Sequence, residues 1–480
     1  MKKRIAVTTL LTTLLLMPLV HAAEEPEQPA PLTVDEVLAS SARFFPQILE
    51  SLAARRAASG TALAAEGAFD LVFGAEGGQA NGFYDNSSVR TSATQRLATL
   101  GASVYANYNL SNGEFPIYRD DDYTGTGGAI KVGMLFSLLR DRRIDPQRFG
   151  VMDSRLNLQQ AELDVLMTRI GVQERALIAY WNWVASGSQL LVYEELLQLA
   201  LDRQEGLEDE VEQGARAQIF LTENLQNITR RRGLATSARR DLTVAANTLS
   251  LYLRDQAGNP MIVAADRLPA EIPTDEVFAD SVPPEVSVSE ALARRPELDI
   301  LRTAIERERN RIALAENQLK PRLDFFVEVQ QGLGTIAEGG PSRNATDTMA
   351  GFTFSLPLQQ RSGRGRLLRA RADLDARQMQ QRLREEQIEL EVRNLLVDLD
   401  VSRELLELAA QEVQQSEIMR ASELRRFESG ASDFFLLNIR EETAANARVR
   451  MLEAALRARI ARANYDAATV DTARLGITAD

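Results

Sequence analysis

Two copies of one short pattern decide how this chain is organised: Gly133-Met-Leu-Phe-Ser-Leu138 and Gly351-Phe-Thr-Phe-Ser-Leu356 both read GxxFSL. A further glycine follows each copy, Gly214 after 81 residues and Gly430 after 79 residues, and each interrupts a long helical pattern. Related segments that recur in the same order at near-constant spacing indicate an internal duplication. The sequence therefore predicts two structural repeats joined in tandem.

Each predicted repeat runs from a short helix through strands into long helices, and a linker separates the two repeats. The predicted bounds are 32–253 for the first repeat (strands at about 68–138, long helices at about 146–253) and 286–475 for the second (strands at about 322–358, long helices at about 364–470). The linker, 254–285, contains five prolines, and proline removes a backbone donor and disfavours helix. We predict that the linker is extended.

Apolar residues recur at seven-residue steps along both long helical stretches, as in Leu156, Leu163, Ile170, Leu177, Val184 and Leu191, and in Val392, Leu399, Leu406 and Val413. A sustained seven-residue period is typical of supercoiled helices. Pro146 and Gly214 lie 68 residues apart, and a continuous helix of that length spans ~100 Å. A plain two-stranded coiled coil also fits this pattern, so the helices alone leave the architecture open.

The strand regions alternate apolar and polar residues. One apolar and one polar face is the pattern of outer-membrane barrel strands, which have lipid outside and water inside, although half-buried strands of soluble proteins look similar. The residues that we predict to face lipid are Phe325, Val327, Phe352 and Phe354. Export of the chain, argued below, favours the membrane interpretation.

Two predicted strands in each repeat give four strands per chain. Four strands cannot close a barrel, and an open sheet edge is not tolerated in lipid, so several chains must share one barrel. Three chains would make twelve strands, within the known range of about 8 to 26. The predicted fold is therefore mainly α with a small membrane β-barrel, and the long helices that continue from the same chains would form a coaxial tube.

A fifth alternating segment, from Ala102 to Leu110, does not fit four strands. Each repeat begins and ends on the helical side, so the number of membrane crossings per repeat must be even. We predict that this segment belongs to a long external loop or extends a strand.

The composition excludes most enzyme chemistry. The 480-residue chain has no Cys and one His, His21, which lies in a predicted leader. Without these residues, Ser-His-Asp and Cys-His nucleophile systems and metal sites built on His or Cys cannot form. The net charge of −13 argues against binding to a nucleic-acid backbone. We predict that the protein is not an enzyme and has no cofactor, no metal site and no nucleic-acid partner.

The first 22 residues have the features of a secretory signal peptide. Lys2, Lys3 and Arg4 precede a mostly apolar stretch at 5–20, and cleavage is expected after Ala22. A membrane anchor fits poorly, because the stretch is short and no stop-transfer flank follows it. We therefore predict an exported chain.

The duplicated plan, the GxxFSL motifs and the segment Arg426-Phe-Glu-Ser-Gly430-Ala-Ser-Asp-Phe-Phe-Leu-Leu437 resemble the TolC family of outer-membrane efflux channels. Val211-Glu-Gln-Gly214-Ala-Arg216 looks like the first-repeat partner of that segment. The resemblance covers essentially all of the chain after the leader. It implies a homotrimer with a trimeric 12-stranded barrel, four strands per chain, in the bacterial outer membrane. This barrel continues into an α-helical coiled-coil tunnel that crosses the periplasm. A periplasmic adaptor protein and an inner-membrane pump dock at the helix tips in this family.

The resemblance also implies candidate sites at the two tips. Adaptor docking is expected at Gly214, Ala215, Arg216, Gly430, Ala431 and Ser432. In the family, acidic residues six and nine positions after the second tip glycine often ring the closed pore, whereas these positions are Leu436 and Ile439 here. The nearest polar residues, Asp433 and Asn438, become the candidates for the pore constriction. Asp433 fits equally well as a cap of the following helix.

The predicted function is the outer-membrane channel of a tripartite efflux or type I secretion system. Such a channel is a passive conduit that carries substrates from an inner-membrane pump across the periplasm and the outer membrane. The alternative is an exported structural coiled-coil protein without a pore. An enzyme would have to use carboxylate pairs such as Glu441-Glu442. Neighbouring side chains on a helix point about 100° apart, which makes a poor catalytic pair.

Overall fold

A computed structural model describes residues 30–99, 101–116, 122–274, 277–278, 283–335 and 346–477. The predicted leader at 1–22 lies outside these residues. Within them the chain forms eight α-helices and six β-strands. The order of two short helices, strands and two long helices occurs twice, although the two repeats differ in their number of strands.

The helices are α1 Val34–Phe44, α2 Pro46–Glu66, α3 Pro146–Glu212, α4 Gln218–Leu249, α5 Pro284–Arg294, α6 Pro296–Gln318, α7 Arg361–Glu428 and α8 Phe434–Thr469. The strands are β1 Val72–Ala80, β2 Asn86–Arg96, β3 Ala102–Gly113, β4 Ala129–Ser137, β5 Arg322–Gly332 and β6 Thr346–Ser355. Helices α1 to α4 and strands β1 to β4 form the first repeat. The second repeat contains α5 to α8 with β5 and β6.

Local sequence signals fix where several helices begin. The side chain of Thr33 accepts a hydrogen bond from the backbone N–H of Glu36 at the start of α1. Asp145 caps α3 in the same way, accepting from the N–H of Arg148 at 2.8 Å, and Pro146 occupies the first helical position. A side-chain oxygen there satisfies a donor that has no partner within the helix, and proline at that position has no donor to satisfy.

The two longest helices confirm the helical prediction. Helix α3 has 67 residues and α7 has 68, so each extends ~100 Å. Most residues of the first predicted seven-residue series are buried or half-buried, but Leu191 at its end is 56% exposed. None of the helices in the described ranges combines the length and the apolar character that crossing a membrane requires.

The strands form one sheet in the order β1-β2-β3-β4-β5-β6, with every neighbouring pair antiparallel. The prediction of four strands per chain is therefore wrong, because the described residues contain six. The missed strand is β2, whose sequence from Asn86 to Arg96 is dominated by Ser, Thr, Arg and Gln and has almost no apolar alternation. Its hydrogen bonds to β1 and β3, rather than its own hydrophobicity, make it a strand.

The prediction for the segment from Ala102 to Leu110 is also wrong. This segment is neither an external loop nor an extension, but most of β3, which pairs with β2 on one side and β4 on the other. With β2 and β3 added, the first repeat has four strands and the second has two. Both numbers are even, so each repeat still begins and ends on the helical side.

All charged side chains of the six strands lie on one face of the sheet, and five strands contribute them, since β3 has none. In the register that joins β1 to β6, this charged face holds Glu76, Arg90, Arg96, Lys131, Arg322, Asp324, Glu328 and Asp347. The opposite face has no charged residue in any of these six strands, and we call it the charge-free face. It includes Phe73, Val89, Val104, Val132, Val327 and Phe352.

The GxxFSL glycines have the same role in the two repeats. Each lies on the charged face beneath an aromatic ring from the preceding strand: Tyr105 lies over Gly133, and Phe326 lies over Gly351. A Cβ at Gly351 would stand 2.7 Å from the Phe326 ring, and a Cβ at Gly133 would overlap the Tyr105 ring even more closely. The motif therefore requires glycine because each ring occupies the space of a side chain.

The main apolar core lies midway along the helices, where α1, α2 and the linker pack against α3 and α4. Trp183, Val172, Ile48 and Leu249 are fully buried there. The described part of the linker is irregular apart from one 3-10 turn at Ala265–Arg267. Helix α4 ends at Leu249 and α5 starts at Pro284, so the linker lies between these two helices.

Candidate functional site

The two tip glycines adopt the same conformation. Gly214 has φ +71° and Gly430 has φ +73°, a left-handed region that glycine enters at little cost. At the first tip the N–H of Ala215 donates to the carbonyl of Glu210 at 2.8 Å; at the second, the N–H of Ala431 donates to the carbonyl of Arg426 at 2.8 Å. This is the Schellman arrangement that ends a helix and begins a turn.

The two tips contact each other within one chain. The guanidinium carbon of Arg216 lies 5.2 Å from the ring centroid of Phe427 and 5.7 Å from that of Phe220. The Phe427 ring is in turn 6.2 Å from the ring of Phe434 at the start of α8. Ser432 donates a hydrogen bond to Glu423 of α7. The predicted docking residues of the two repeats thus lie at one end of the helical region.

Asp433 caps helix α8. Its Oδ1 accepts a hydrogen bond from the backbone N–H of Leu436 at 2.7 Å. Glu223 of α4 lies near enough for the two carboxylates to interact: burial raises the pKa of Glu223, and the charge of Asp433 raises it further. Asp433 is exposed, so the cap leaves its second carboxylate oxygen facing the solvent.

Asn438 lies inside the chain rather than on an exposed pore surface. It is 3% exposed, and its Oδ1 accepts a hydrogen bond from Nη1 of Arg203 at 3.1 Å. A side chain enclosed by α3, α4 and α8 of its own chain does not line a pore in this structure. The prediction that Asn438 forms the constriction is therefore not supported by its position.

Asn438 belongs to a buried polar cluster that joins the two repeats. Arg231 of α4 and Glu441 of α8 are 1% and 3% exposed, and their side chains form an ion pair of 3.0 Å. Arg231 also donates to the backbone carbonyl of Leu196 at 2.8 Å, and Arg203 pairs with the same Glu441. Burial lowers the pKa of the Arg231 guanidinium, whereas the charge of Glu441 opposes that shift.

This cluster also accounts for the carboxylate pair considered as an enzyme site. Glu441 is held between two arginines, and the neighbouring Glu442 pairs with Arg230 on the surface of α4. Both carboxylates thus contact the first repeat rather than a shared cavity.

Two exposed apolar residues of α8 were missed as site candidates. Phe435 is 58% exposed and Ile439 is 41% exposed, and residues four apart lie on one face of a helix. Ile439 is also one of the two positions where the TolC resemblance places an acidic pore residue. The sequence shows that Phe435 and Ile439 are an apolar pair next to a tip. Only the structure shows that this pair is exposed, whereas Phe434 and Leu437 are buried.

The four residues predicted to face lipid lie together on the charge-free face. Phe325 and Phe352 are direct register partners with ring centroids 5.1 Å apart, and Phe354 lies opposite Leu323. Phe352 and Phe354 are 67% and 63% exposed. Val327 lies between Met134 and Ala350 on the same face. Their placement agrees with the predicted role, which remains a prediction.

The charged face holds a polar cluster at the centre of the sheet. The hydroxyl of Tyr105 on β3 donates to Oε2 of Glu328 on β5 at 2.7 Å, and Nζ of Lys131 on β4 lies 3.5 Å from Oε1 of the same carboxylate. These contacts cross from the first repeat to the second. Such a network indicates that the charged face is the wetter of the two faces.

Comparison with known proteins agrees with this geometry. Residues 287–469 match the family described as outer membrane efflux protein. This match lies within the second repeat and confirms the resemblance to outer-membrane efflux channels. No curated protein sequence matches the chain.

Solved outer-membrane channels have the same fold. The open state of the Neisseria gonorrhoeae MtrE outer membrane channel aligns with a TM-score of 0.63 at 14% identity, over 91% of this chain and 88% of that one. The outer membrane protein VceC of Vibrio cholerae aligns with a TM-score of 0.61 at 15% identity, over 91% and 95%. The Campylobacter jejuni CmeC outer membrane channel gives 0.62 at 14%, over 91% and 85%. These alignments confirm the mainly helical fold class.

Proposed function

We propose that this chain is one subunit of a trimeric outer-membrane efflux channel. The channel is a passive conduit, and its substrates are supplied by an inner-membrane pump through a periplasmic adaptor protein. The observation that carries the proposal is the division of one sheet into a charged face and a charge-free face, directly continuous with helices of ~100 Å. The alternative, a structural coiled coil, does not account for a sheet with one charged and one charge-free face.

The sheet supports the outer-membrane location. Its charge-free face suits contact with lipid, and its charged face suits a water-filled lumen, as in outer-membrane barrels. Strands β1 and β6 have unpaired edges in a single chain, and an unpaired edge is not tolerated in hydrocarbon. Pairing between chains removes these edges, so assembly is part of the function.

The helices support the periplasmic tunnel and the docking site. Both helix pairs turn at one end of the molecule, and Arg216, Phe427 and Phe434 make that end a joint surface of the two repeats. We propose that the adaptor contacts this surface, with Gly214, Ala215, Arg216, Gly430, Ala431 and Ser432 at its apex. The glycines determine the shape of the turns, and Arg216 contributes a positive charge to the surface.

The entrance of the tunnel lies beside the second tip in this proposal. Asp433, Phe435 and Ile439 are the exposed residues of the first turns of α8. Three copies of Asp433 around an axis would attract cations, whereas three copies of an apolar pair would close a pore by excluding water. The hydrogen bond from Leu436 to Asp433 favours the apolar pair as the constriction, because the carboxylate already serves as a cap.

Channel recordings test the proposed function. Protein extracted from outer membranes and inserted into planar lipid bilayers should give discrete ion-conducting steps, and cells without the gene should lose export of the pump's substrates. A protein that fractionates without detergent and never conducts would instead be the structural coiled coil. Phe435→Ser with Ile439→Ser should raise the closed-state conductance, and the matched exposed change Leu251→Ser, distant from the tip, should not.

A further inference from the structure

The number of strands determines how wide the outer-membrane end of the assembly is. Six strands lie in one unbroken sheet, and the pairing of β1 with β2 and of β2 with β3 is as regular as that of the other strands. Strands β1, β2 and β3 are thus integral to the sheet and are not a separate hairpin at its edge. We propose that three copies close an 18-stranded barrel in which β1 of one copy pairs with β6 of the next, in place of the 12 strands that the TolC resemblance implies.

The connections between helices and strands favour this closure. Strand β1 follows α2, β4 leads to α3, β5 follows α6, and β6 leads to α7. The helices below the sheet pack in the order α2, α3, α6, α7. The outermost helices of a chain therefore continue into the outermost strands. When α2 of one copy lies beside α7 of the next, β1 and β6 are brought together, whereas closure at β3 would require β1 and β2 to leave the sheet.

Six strands occupy about the same width per chain as the four helices below them. Four helices packed side by side at roughly 8–10 Å occupy about 32–40 Å of circumference per chain. Strands spaced about 4.8 Å apart and tilted by roughly 40° occupy about 38 Å for six strands and only about 25 Å for four. A six-stranded contribution therefore passes into the helical layer without a step in diameter.

The two free edges are suited to each other. Strand β1 has 9 residues and β6 has 10, and nearly all of them are exposed in the single chain. Neither strand contains proline or lysine, the residues that commonly protect free edges from pairing. Strand β1 runs away from the helices and β6 returns towards them, so their pairing between copies is antiparallel, like every other pair in the sheet.

The functional consequence is a wider exit. At equal tilt the circumference of a barrel grows with strand number, so 18 strands enclose roughly twice the cross-section of 12, within the range of barrels that hold an aqueous channel. A lumen of this size is lined by the charged residues of β1, β2, β4, β5 and β6, including Glu76 and Arg90, which form a register pair on β1 and β2. The exit therefore admits larger cargo than a 12-stranded barrel of the same tilt.

Engineered disulfides test the closure directly, because the chain has no natural cysteine. Ala75→Cys on the charge-free face of β1 is combined, one at a time, with Thr346→Cys, Thr348→Cys, Ala350→Cys or Phe352→Cys on β6. The control series places cysteine at Ala106 of β3 with the same four β6 positions. All variants are expressed as full chains, oxidised in outer membranes and separated without reductant.

The inference rests on the proposed function, and the experiment separates the two. The 18-stranded barrel predicts chain-to-chain crosslinks at one or more positions of the Ala75 series and none in the Ala106 series. Crosslinks from the Ala106 series alone, or trimers that crosslink in neither series, would overturn the 18-stranded barrel while leaving the channel intact. Absence of trimers in reduced, cysteine-free protein would overturn the proposed function as well.

Discussion

The two repeats of this protein are alike in their helices and unlike in their sheet. Helices α3 and α7 differ by one residue in length, and the turns at Gly214 and Gly430 have the same hydrogen bonds. The first repeat nevertheless supplies four strands and the second only two. The helices pack laterally with several neighbours, so a change in one of them disturbs many contacts. A hairpin adds two strands to a sheet, so the chain still returns to the helical side after the insertion. The duplicated architecture therefore tolerates the insertion of strands in pairs.

The repeats also differ just after each tip. Three positions after the glycine stands Asp433 in the second repeat, which caps α8, whereas the first repeat has Ala217, with no side-chain cap for α4. Eleven positions after the glycine stands the buried Glu441 in the second repeat and the exposed Leu225 in the first. The start of α8 therefore has a side-chain cap and a buried carboxylate at positions where α4 has neither, whereas α4 is held to α3 by the buried Asn224.

The largest effect is expected at the buried contact between the repeats. Glu441→Gln should leave Arg231 charged and without its carboxylate, at a cost of about 3–5 kcal/mol per chain. Guanidinium unfolding of the detergent-solubilised protein measures this loss. The control is Glu442→Gln next to it, whose pair with Arg230 is exposed and worth about 0–1 kcal/mol. Equal losses from the two variants would contradict the assigned role of the cluster.

The second prediction compares a strand of the first repeat with one of the second. Val89→Asp in β2 and Val327→Asp in β5 place a carboxylate on the charge-free face, at a cost of about 2–4 kcal/mol or less per site, depending on depth in the membrane. Both should reduce the amount of assembled trimer in outer membranes, measured on gels without boiling.

Matched controls put the same carboxylate on the charged face, as Ser88→Asp in β2 and Gln330→Asp in β5. These variants should assemble normally. If Val89→Asp assembled as well as Ser88→Asp while Val327→Asp failed, the strands of the first repeat would not lie in the membrane with those of the second.

The third prediction concerns the matching turns. Gly214→Val and Gly430→Val force a β-branched residue into the left-handed region, at a cost of about 1–3 kcal/mol each. Each variant should still reach the outer membrane but lose export, because the docking surface changes shape. Gly206→Ala inside α3, where a Cβ meets nothing within 4 Å, is the control and should leave export unchanged. Full export by the double valine variant would refute the tip assignment.

The smallest effect is expected from exchanging the caps of the two repeats. Asp433→Ala should destabilise the protein by about 1 kcal/mol, and Ala217→Asp should stabilise it by a similar amount. Thermal unfolding measures both. Conductance separates the cap from a gate: a change in cation selectivity for Asp433→Ala, without loss of stability, would assign the carboxylate to the pore instead.

Features with a local signal were predicted from the sequence. The seven-residue series and the two glycines were sufficient to place the long helices and their turns. Alternation predicts β1, β4, β5 and β6, and it also marks β3. The requirement for an even number of crossings argued against β3 as long as β2 was not recognised. Strand β2 has polar residues on both faces, and only its pairing with β1 and β3 defines it. A strand of this kind leaves almost no trace in single-sequence periodicity.

The same division holds for the candidate site: its turns have a local sequence signal, whereas the environment of its buried polar residues does not. The turns follow from glycine chemistry, which acts over five or six residues. The fate of Asn438 depends on Arg203 and Arg231, which lie more than 200 residues away along the chain. No local pattern reveals that these helices meet, so the sequence alone does not distinguish a buried Asn438 from one that lines a pore. The exposure of Phe435 likewise depends on which faces of α8 are covered by other helices.

The central claim is that three chains together form a membrane channel from this duplicated plan. Native mass spectrometry of protein extracted by mild detergent from purified outer membranes tests it most directly. The account predicts one dominant species with three times the mass of the single chain, absent from detergent-free extracts. A monomer or dimer as the dominant species, or recovery of the protein without detergent, would contradict it.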